Sequence, residues 1–200
     1  MTFLFDIGNV LLKLHFERFH AAVLGSEEIP LPEELDALKV PYETGAIDDD
    51  AFVDRSLEHL TGSLSREQFT AAWEDIFSAN EPMWLVVEKL KASNHRLILF
   101  SNTNNLHAGS FLKAYPGFDD FDHHHFSHQV GALKPHPDFY QRAIEDYELN
   151  PTETIYLDDL PENIATGKEM GFHSWQYDYN DHQSCLNWLH GLGIKLTPSS

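Results

Sequence analysis

The sequence predicts an α/β fold, a doubly wound parallel sheet with an inserted helical unit, and three observations predict it. Short aromatic and aliphatic runs at Thr2 to Ile7, Arg96 to Ser101 and Thr154 to Asp158 have the length and apolar content of strands buried on both faces. Helical patterns at Pro82 to Leu90 and Pro137 to Tyr147 precede the second and third runs. A long acidic segment separates the first run from the second, far beyond an ordinary connection, and its apolar residues recur at helical spacing. Alternating helices and strands of this kind cover both faces of a parallel sheet and leave ligand sites at the strand C-termini.

Taken in order, the first run closes on Gly8-Asn9, a tight loop that delivers the polar Asp6 to the edge of the sheet. The inserted unit is placed at residues 15–81, which leaves residues 1–14 and 82–200 as the α/β core. Within it Ala51 to Leu60 and Ser65 to Phe77 repeat the helical pattern, and Pro30, Pro32, Pro41 and Gly62 punctuate it. Tyr42 to Phe52 reads as a loop that turns at Gly45 into a helix whose N-terminus Asp48, Asp49 and Asp50 favour. The same loop offers Tyr42 and Glu43 as groups for a substrate hydroxyl. Phe16, Phe19, Trp73, Phe77 and Trp84 lie at helical spacing and are assigned to core rather than to ligand stacking. His123, His124 and His125, with Asp119, Asp120, Asp122 and His128 nearby, read as an acidic, histidine-rich surface loop. Consecutive histidines diverge, and the cysteine partners of a structural zinc site are missing. A helix from Pro161 to Met170 stopped by Gly171, a strand near His173 to Tyr177, a last helix near His182 to Leu192 and a frayed end at Thr197 to Ser200 complete the chain.

Composition narrows the partners. Thirteen Lys and Arg face 32 Asp and Glu, a formal charge of −19, which repels the phosphate backbone of nucleic acids and anionic membrane surfaces. With 42 % hydrophobic residues, 14 Phe, 7 Tyr and 4 Trp, the chain can bury a large core and is not disordered. The one cysteine, Cys185, forms no intramolecular disulfide and sits in the helical pattern LNWLHGL as a small buried hydrophobe. It points to a reducing compartment. The N-terminal residues have no basic region and no apolar run near the length that crosses a bilayer, so the protein is expected to be cytoplasmic, and its oligomeric state, monomer or dimer, is left open by the sequence.

Four features carry chemistry: Asp6 in DIGNV, Ser101-Asn102 in FSNTN, Lys134 in GALKP and Asp158-Asp159 in YLDDLPEN. Each has an ordinary reading as a cap, turn or surface residue. Together they set three carboxylates, a hydroxyl and an ammonium at strand ends or in the loops beyond. Carboxylates so close repel one another, which favours a bound divalent cation, and oxygen ligands suit Mg²⁺. A carboxylate can attack phosphorus to form an aspartyl-phosphate, while cation, hydroxyl and ammonium stabilise the transferring group.

In that order the four motifs resemble those of the haloacid dehalogenase superfamily of hydrolases over essentially the whole chain. The nearest resemblance is to the bacterial α-D-glucose-1-phosphate phosphatase-like branch, whose first motif is also Asp-x-Gly-Asn-Val. The resemblance implies a Rossmann-like core with a helical C1-type cap, placed where the insertion falls. It implies Mg²⁺ and hydrolysis of a small phosphorylated metabolite, such as a hexose 1-phosphate, through an aspartyl-phosphate. Asp6 would be nucleophile and metal ligand. Ser101, Asn102 and Lys134 would hold the phosphoryl group, with Lys134 also catalytic. Asp159 and the Gly8 carbonyl would ligate the metal, and Asp158 would lie beside it or act through water. Asn163 stands where many relatives carry a further acid, and is otherwise an ordinary polar residue on a helix face.

Gly8 is the departure. Most phosphatases of the superfamily carry a second Asp there as general acid and base, a group worth about 10²–10⁴ in rate. Three readings follow. The substrate has a good leaving group; or water or a cap residue, among them His15, Glu17 and Glu43, replaces the acid; or the protein binds a phosphorylated ligand without efficient turnover. Dehalogenation is a further alternative, since halide departs without a proton. The paired acids Asp158 and Asp159 argue against it, because a metal would neutralise a carboxylate that attacks carbon.

Overall fold

The computed structural model describes residues 1–60 and 62–196 of the 200-residue chain, so the expected fraying of Thr197 to Ser200 lies outside the described residues. In chain order the strands are β1 (Thr2–Phe5), β2 (Leu12–Leu14), β3 (Phe77–Ala79), β4 (Arg96–Ser101), β5 (His123–Phe126), β6 (Thr154–Asp158) and β7 (His173–Gln176). The helices are α1 (Phe16–Leu24), α2 (Glu33–Asp36), α3 (Lys39–Glu43), α4 (Asp49–Glu58), α5 (Arg66–Glu74), α6 (Glu81–Ala92), α7 (Asn105–Ala114), α8 (Ser127–Val130), α9 (Pro137–Asp146), α10 (Pro161–Glu169) and α11 (His182–Gly191).

Five parallel strands form one sheet in the order β5-β4-β1-β6-β7. The chain leaves central β1 for β4 and β5 on one side and returns to β6 and β7 on the other, so the strand order reverses beside β1. A crevice opens at such a switch point, beyond the strand C-termini. Because successive strand side chains point to opposite faces, Phe3, Phe5, Leu97, Leu99, Ile155 and Leu157 enter one core, against α6, α7 and α11. Leu4, Ile98, Phe100 and Tyr156 enter the other, against α9 and α10. Cys185 is fully buried in the first core, as its helical context suggests.

The helical unit has a core of its own, in which Phe19, Phe52, Phe69 and Trp73 pack edge-on, tilted or stacked around Tyr42 and Ile76. Its helices carry their own start signals. Asp48 accepts the Ala51 N–H ahead of α4, and Ser65 and Gln68 form a reciprocal capping box at α5. The chain enters and leaves it through β2 and β3, an antiparallel ribbon pairing Leu12 with Ala79 and Leu14 with Phe77.

Two expectations need correction. His123 to His125 are not a surface loop: they form edge strand β5, registered with Ile98 to Phe100 of β4. His125 is buried, and its Nε2–H donates to the Phe139 carbonyl at 2.9 Å. Tyr42 and Glu43 belong to helix α3 rather than to the loop, which begins only at the turn after them. Gly45, at φ 71°, makes that turn, and a Cβ there would lie 2.2 Å from the His128 carbonyl oxygen. Only glycine allows so close an approach between the helical unit and α8.

Candidate active site

The three strands in the middle of the sheet deliver the polar ends. Asp6 follows β1, and its N–H continues the ladder by donating to the Leu157 carbonyl at 2.9 Å. The loop then coils back on itself, with the Ile7 carbonyl accepting the Leu11 and Leu12 N–H groups at 3.0 and 2.9 Å. Ser101 ends β4, Asp158 ends β6, and Lys134 lies in the loop between α8 and α9.

Lys134 ties the set together. Its buried ammonium donates to Asp6 Oδ1 at 2.8 Å, to Asp158 Oδ2 at 2.6 Å and to the Phe100 carbonyl at 2.8 Å, which uses all three protons. Two reciprocal bonds fix its backbone, one from Lys134 N–H to Asn102 Oδ1 at 2.8 Å and one from Asn102 Nδ2 to the Lys134 carbonyl at 2.9 Å. Burial works against the ammonium, but the facing Asp158 and Asp6 carboxylates outweigh it and hold its pKa above the usual lysine value.

The carboxylates differ in their surroundings. Asp158 is fully buried and accepts from four donors: Lys134 Nζ and the Tyr156 hydroxyl on one oxygen, the Leu160 N–H and Asn163 Nδ2 on the other. Asp159 accepts from Asn9 Nδ2 at 3.0 Å. Burial is the largest influence on Asp6 and raises its carboxyl to about 7, with Lys134 opposing and Asp158 and Asp159 adding to it. Asp159 is raised as well, chiefly by burial and against the Asn9 bond. Carboxylate oxygens of Asp6, Asp158 and Asp159 converge within 4.8 Å of one another. That all-oxygen set, short of positive charge with only Lys134 facing it, fits a hard divalent cation.

These groups line a cavity of about 220 Å³ with Gly8, Ser101 and Asn102. Its opposite wall comes from the helical unit and the ribbon, through Phe16, Lys39, Glu43, Trp73 and Phe77. Phe16, Trp73 and Phe77, assigned to core from their spacing, therefore also form cavity wall. A larger groove of about 760 Å³ between α6 and α11 gathers no such constellation.

The structure thus brings Asp6, Gly8, Ser101, Asn102, Lys134, Asp158 and Asp159 to one place. It leaves His15 at the ribbon, where its ring nitrogens contact Glu17 Oε1 at 2.8 Å and Ser78 Oγ at 2.7 Å. Tyr42 is buried in the helical unit, its hydroxyl donating to Asp49 Oδ1 at 2.6 Å. Of the four acid and hydroxyl candidates in the insertion, only Glu43 lines the cavity. Two supporting residues went unassigned or unspecified. Asn9, in the left-handed region at φ 52°, holds Asp159, and its position in a turn after a strand was the available signal. Asn163 is buried, and its side chain serves Asp158 directly.

Comparison with known proteins places the chain in a family. Residues 1–171 match the family described as haloacid dehalogenase-like hydrolase. The chain is 28 % identical over 185 residues to the D-ribitol-5-phosphate phosphatase of Bacteroides thetaiotaomicron, across 86 % of this chain and 89 % of that protein. A crystal structure of a haloacid dehalogenase family enzyme from the same organism, in complex with magnesium and inorganic phosphate, superposes with a TM-score of 0.79 at 26 % identity. It covers 92 % of this chain and 98 % of that one. The structure of a predicted hydrolase of the same type from Porphyromonas gingivalis gives a TM-score of 0.72 at 28 % identity, over 99 % and 98 % of the two chains.

Proposed function

The chain belongs to the haloacid dehalogenase-like hydrolases, and from that premise we propose that it is a Mg²⁺-dependent phosphatase of small phosphate monoesters, acting through an aspartyl-phosphate. The observation that carries the reading is the Lys134 ammonium held between Asp6 and Asp158, beside Asp159, on the floor of the switch-point cavity. The relative that acts on ribitol 5-phosphate supports a polyol or sugar phosphate as substrate.

Asp6 is the nucleophile in this reading. One of its oxygens is held by Lys134, which leaves the other to face the cavity. Asp6, Asp159 and the Gly8 carbonyl would hold the Mg²⁺. Asp158, with both oxygens already taken by four donors, would act beside it through water and chiefly position Lys134. Bound there, the metal would neutralise phosphoryl oxygens and draw Asp6 into its ionised form. Ser101 and Asn102 would donate to the remaining phosphoryl oxygens, and Lys134 would offset the negative charge that builds up on them. The insertion would serve as the cap, its inner face closing the cavity above the phosphoryl group.

Two alternatives lose ground on this geometry. A free carboxylate attacking carbon gains nothing from two further acids and a lysine already bound to it. A pure binding protein has no need of a carboxylate facing the phosphoryl position. Wild-type protein with Mg²⁺, assayed on ribitol 5-phosphate, glucose 1-phosphate and acetyl phosphate, should release phosphate. EDTA and Asp6→Asn should each reduce release to background. Retained turnover in either case removes the mechanism.

A further inference from the structure

An alkyl phosphate cannot part from its alcohol easily unless the departing oxygen gains a proton, and the floor of the cavity has no group free to give one. Lys134 commits all three protons. Asp159 belongs to the acidic cluster that would hold the cation. His107 also lines the cavity, but burial holds its ring near a pKa of about 3, and both nitrogens are engaged, Nε2 with the Trp73 carbonyl and Nδ1 with Asn104. Beside Asp6 itself the space is taken: a Cβ on Gly8 would come 3.0 Å from Leu14 Cδ1. Gly8 itself has no side chain to give a proton.

Across the cavity the situation is reversed. Glu43, in the last turn of α3, lines the same small cavity as Asp6, Ser101 and Lys134. Among the described residues no group hydrogen-bonds its carboxyl. Its neighbour Lys39 is paired with Asp36 at 2.7 Å and lies over the Phe16 ring, and among the described residues no ion pair joins it to Glu43.

We propose that Glu43 is the general acid and base of the reaction, reaching the leaving oxygen from the cap side of the cavity in place of a group beside Asp6. The inference rests on the phosphatase reading above and adds a catalytic residue to it. In the first half-reaction an Asp6 oxygen bonds to phosphorus, the ester P–O bond breaks, and the departing alkoxide takes the Glu43 proton. Alcohol, aspartyl-phosphate and the Glu43 carboxylate result. In the second, Glu43 takes a proton from water as its oxygen attacks phosphorus and the Asp6–phosphorus bond breaks. Phosphate leaves, and both side chains regain their starting forms.

The state of the side chain suits that work. Burial, only partly opposed by Lys39, raises the Glu43 carboxyl to about 7, where it can both give and take a proton at neutral pH. The charged and titratable groups that share the cavity with it are Lys39 from its own helix and Asp6, His107, Lys134 and Asp159 from the core.

A series of aryl phosphates from phenyl to 4-nitrophenyl to 2,4-dinitrophenyl tests the assignment, because none carries a sugar hydroxyl for Glu43 to bind. Glu43→Gln should lower kcat/KM for phenyl phosphate by about 10²–10⁴ and leave 2,4-dinitrophenyl phosphate within roughly tenfold, since that leaving group needs no proton. The slope against leaving-group acidity therefore steepens in the variant. With 4-nitrophenyl phosphate the variant should also show a burst of nitrophenol as phosphorylated Asp6 accumulates. Equal loss across the series, or none, overturns the assignment and leaves Glu43 a structural or hydroxyl-binding residue. Where Glu43→Gln fails to fold, Glu43→Ala, which also removes the carboxyl, carries the same comparison. Wild-type protein that releases phosphate beside an unimpaired variant overturns this inference alone. Wild-type protein with Mg²⁺ that releases none from any ester overturns the functional reading, and this one with it.

Discussion

The floor of the cavity and its cap wall are built in opposite ways. On the floor the charged groups have prescribed partners: Lys134 donates to three oxygens, Asp158 accepts from four donors, and Asn102 clamps the lysine loop with two bonds. On the cap wall Phe16 and Phe77 offer apolar rings, and Glu43 stands without a hydrogen bond among the described residues. The floor is fixed because it handles the part every phosphate ester shares. The wall is left unsatisfied, so it can answer to the part that varies, and a preorganised floor costs no rearrangement when the reaction occurs.

The contrast breaks most completely at Lys134. Lys134→Ala leaves Asp6 and Asp158 buried without their shared cation, and losing one partner of a buried pair costs about 3–5 kcal/mol. Denaturant unfolding should show a loss of that size together with phosphate release at background. A variant of near wild-type stability would show that the floor is not fixed by this ammonium.

At Glu43 the effect on stability is smaller and runs with pH. A carboxyl at its ordinary value of 4.5 in the unfolded chain and about 7 in the folded protein binds more protons when folded. Its contribution is therefore greatest in acid, and stability is lost as pH rises from about 4.5 to about 7. Glu43→Gln carries no such proton, so the variant should gain on wild type by about 1–3 kcal/mol across that window in parallel urea titrations. A difference that stays constant with pH would place Glu43 in water rather than in the wall.

The floor was far more legible in the sequence than the wall, for a physical reason. A strand buried on both faces is a continuous apolar run, so Arg96–Ser101 and Thr154–Asp158 announce themselves, and the polar residue at each end is conspicuous. β5 does not announce itself in the same way because three histidines do not register as apolar, although His125 is buried under Phe100 and Phe139. The ribbon of β2 and β3 is not legible because three residues are too few to show an alternation. Pro41 and Gly45 pointed to a turn where α3 in fact carries Tyr42 and Glu43 up to it. Only packing separates those two side chains, one sealed in the helical core and the other lining the cavity. The role of Asn163 is hidden in the sequence for a similar reason, since only the fold brings its amide within 2.9 Å of Asp158.

The smallest expected effect sets the cavity against the rest of the surface. The formal charge of −19 opposes an anionic ester on approach. Within the cavity, however, Lys134 and one Mg²⁺ balance the three carboxylates of Asp6, Asp158 and Asp159, so the site itself adds little attraction at long range. Salt shortens the reach of the repulsive field, from about 30 Å at 0.01 M to about 8 Å at 0.15 M, while the buried ion pairs of the floor are screened much less. Raising sodium chloride over that range at fixed Mg²⁺ should therefore increase kcat/KM, by less than about tenfold, with kcat unchanged. A decrease would mean that positive charge at the cavity mouth draws substrate in, and that the acidity of the surface does not govern the encounter.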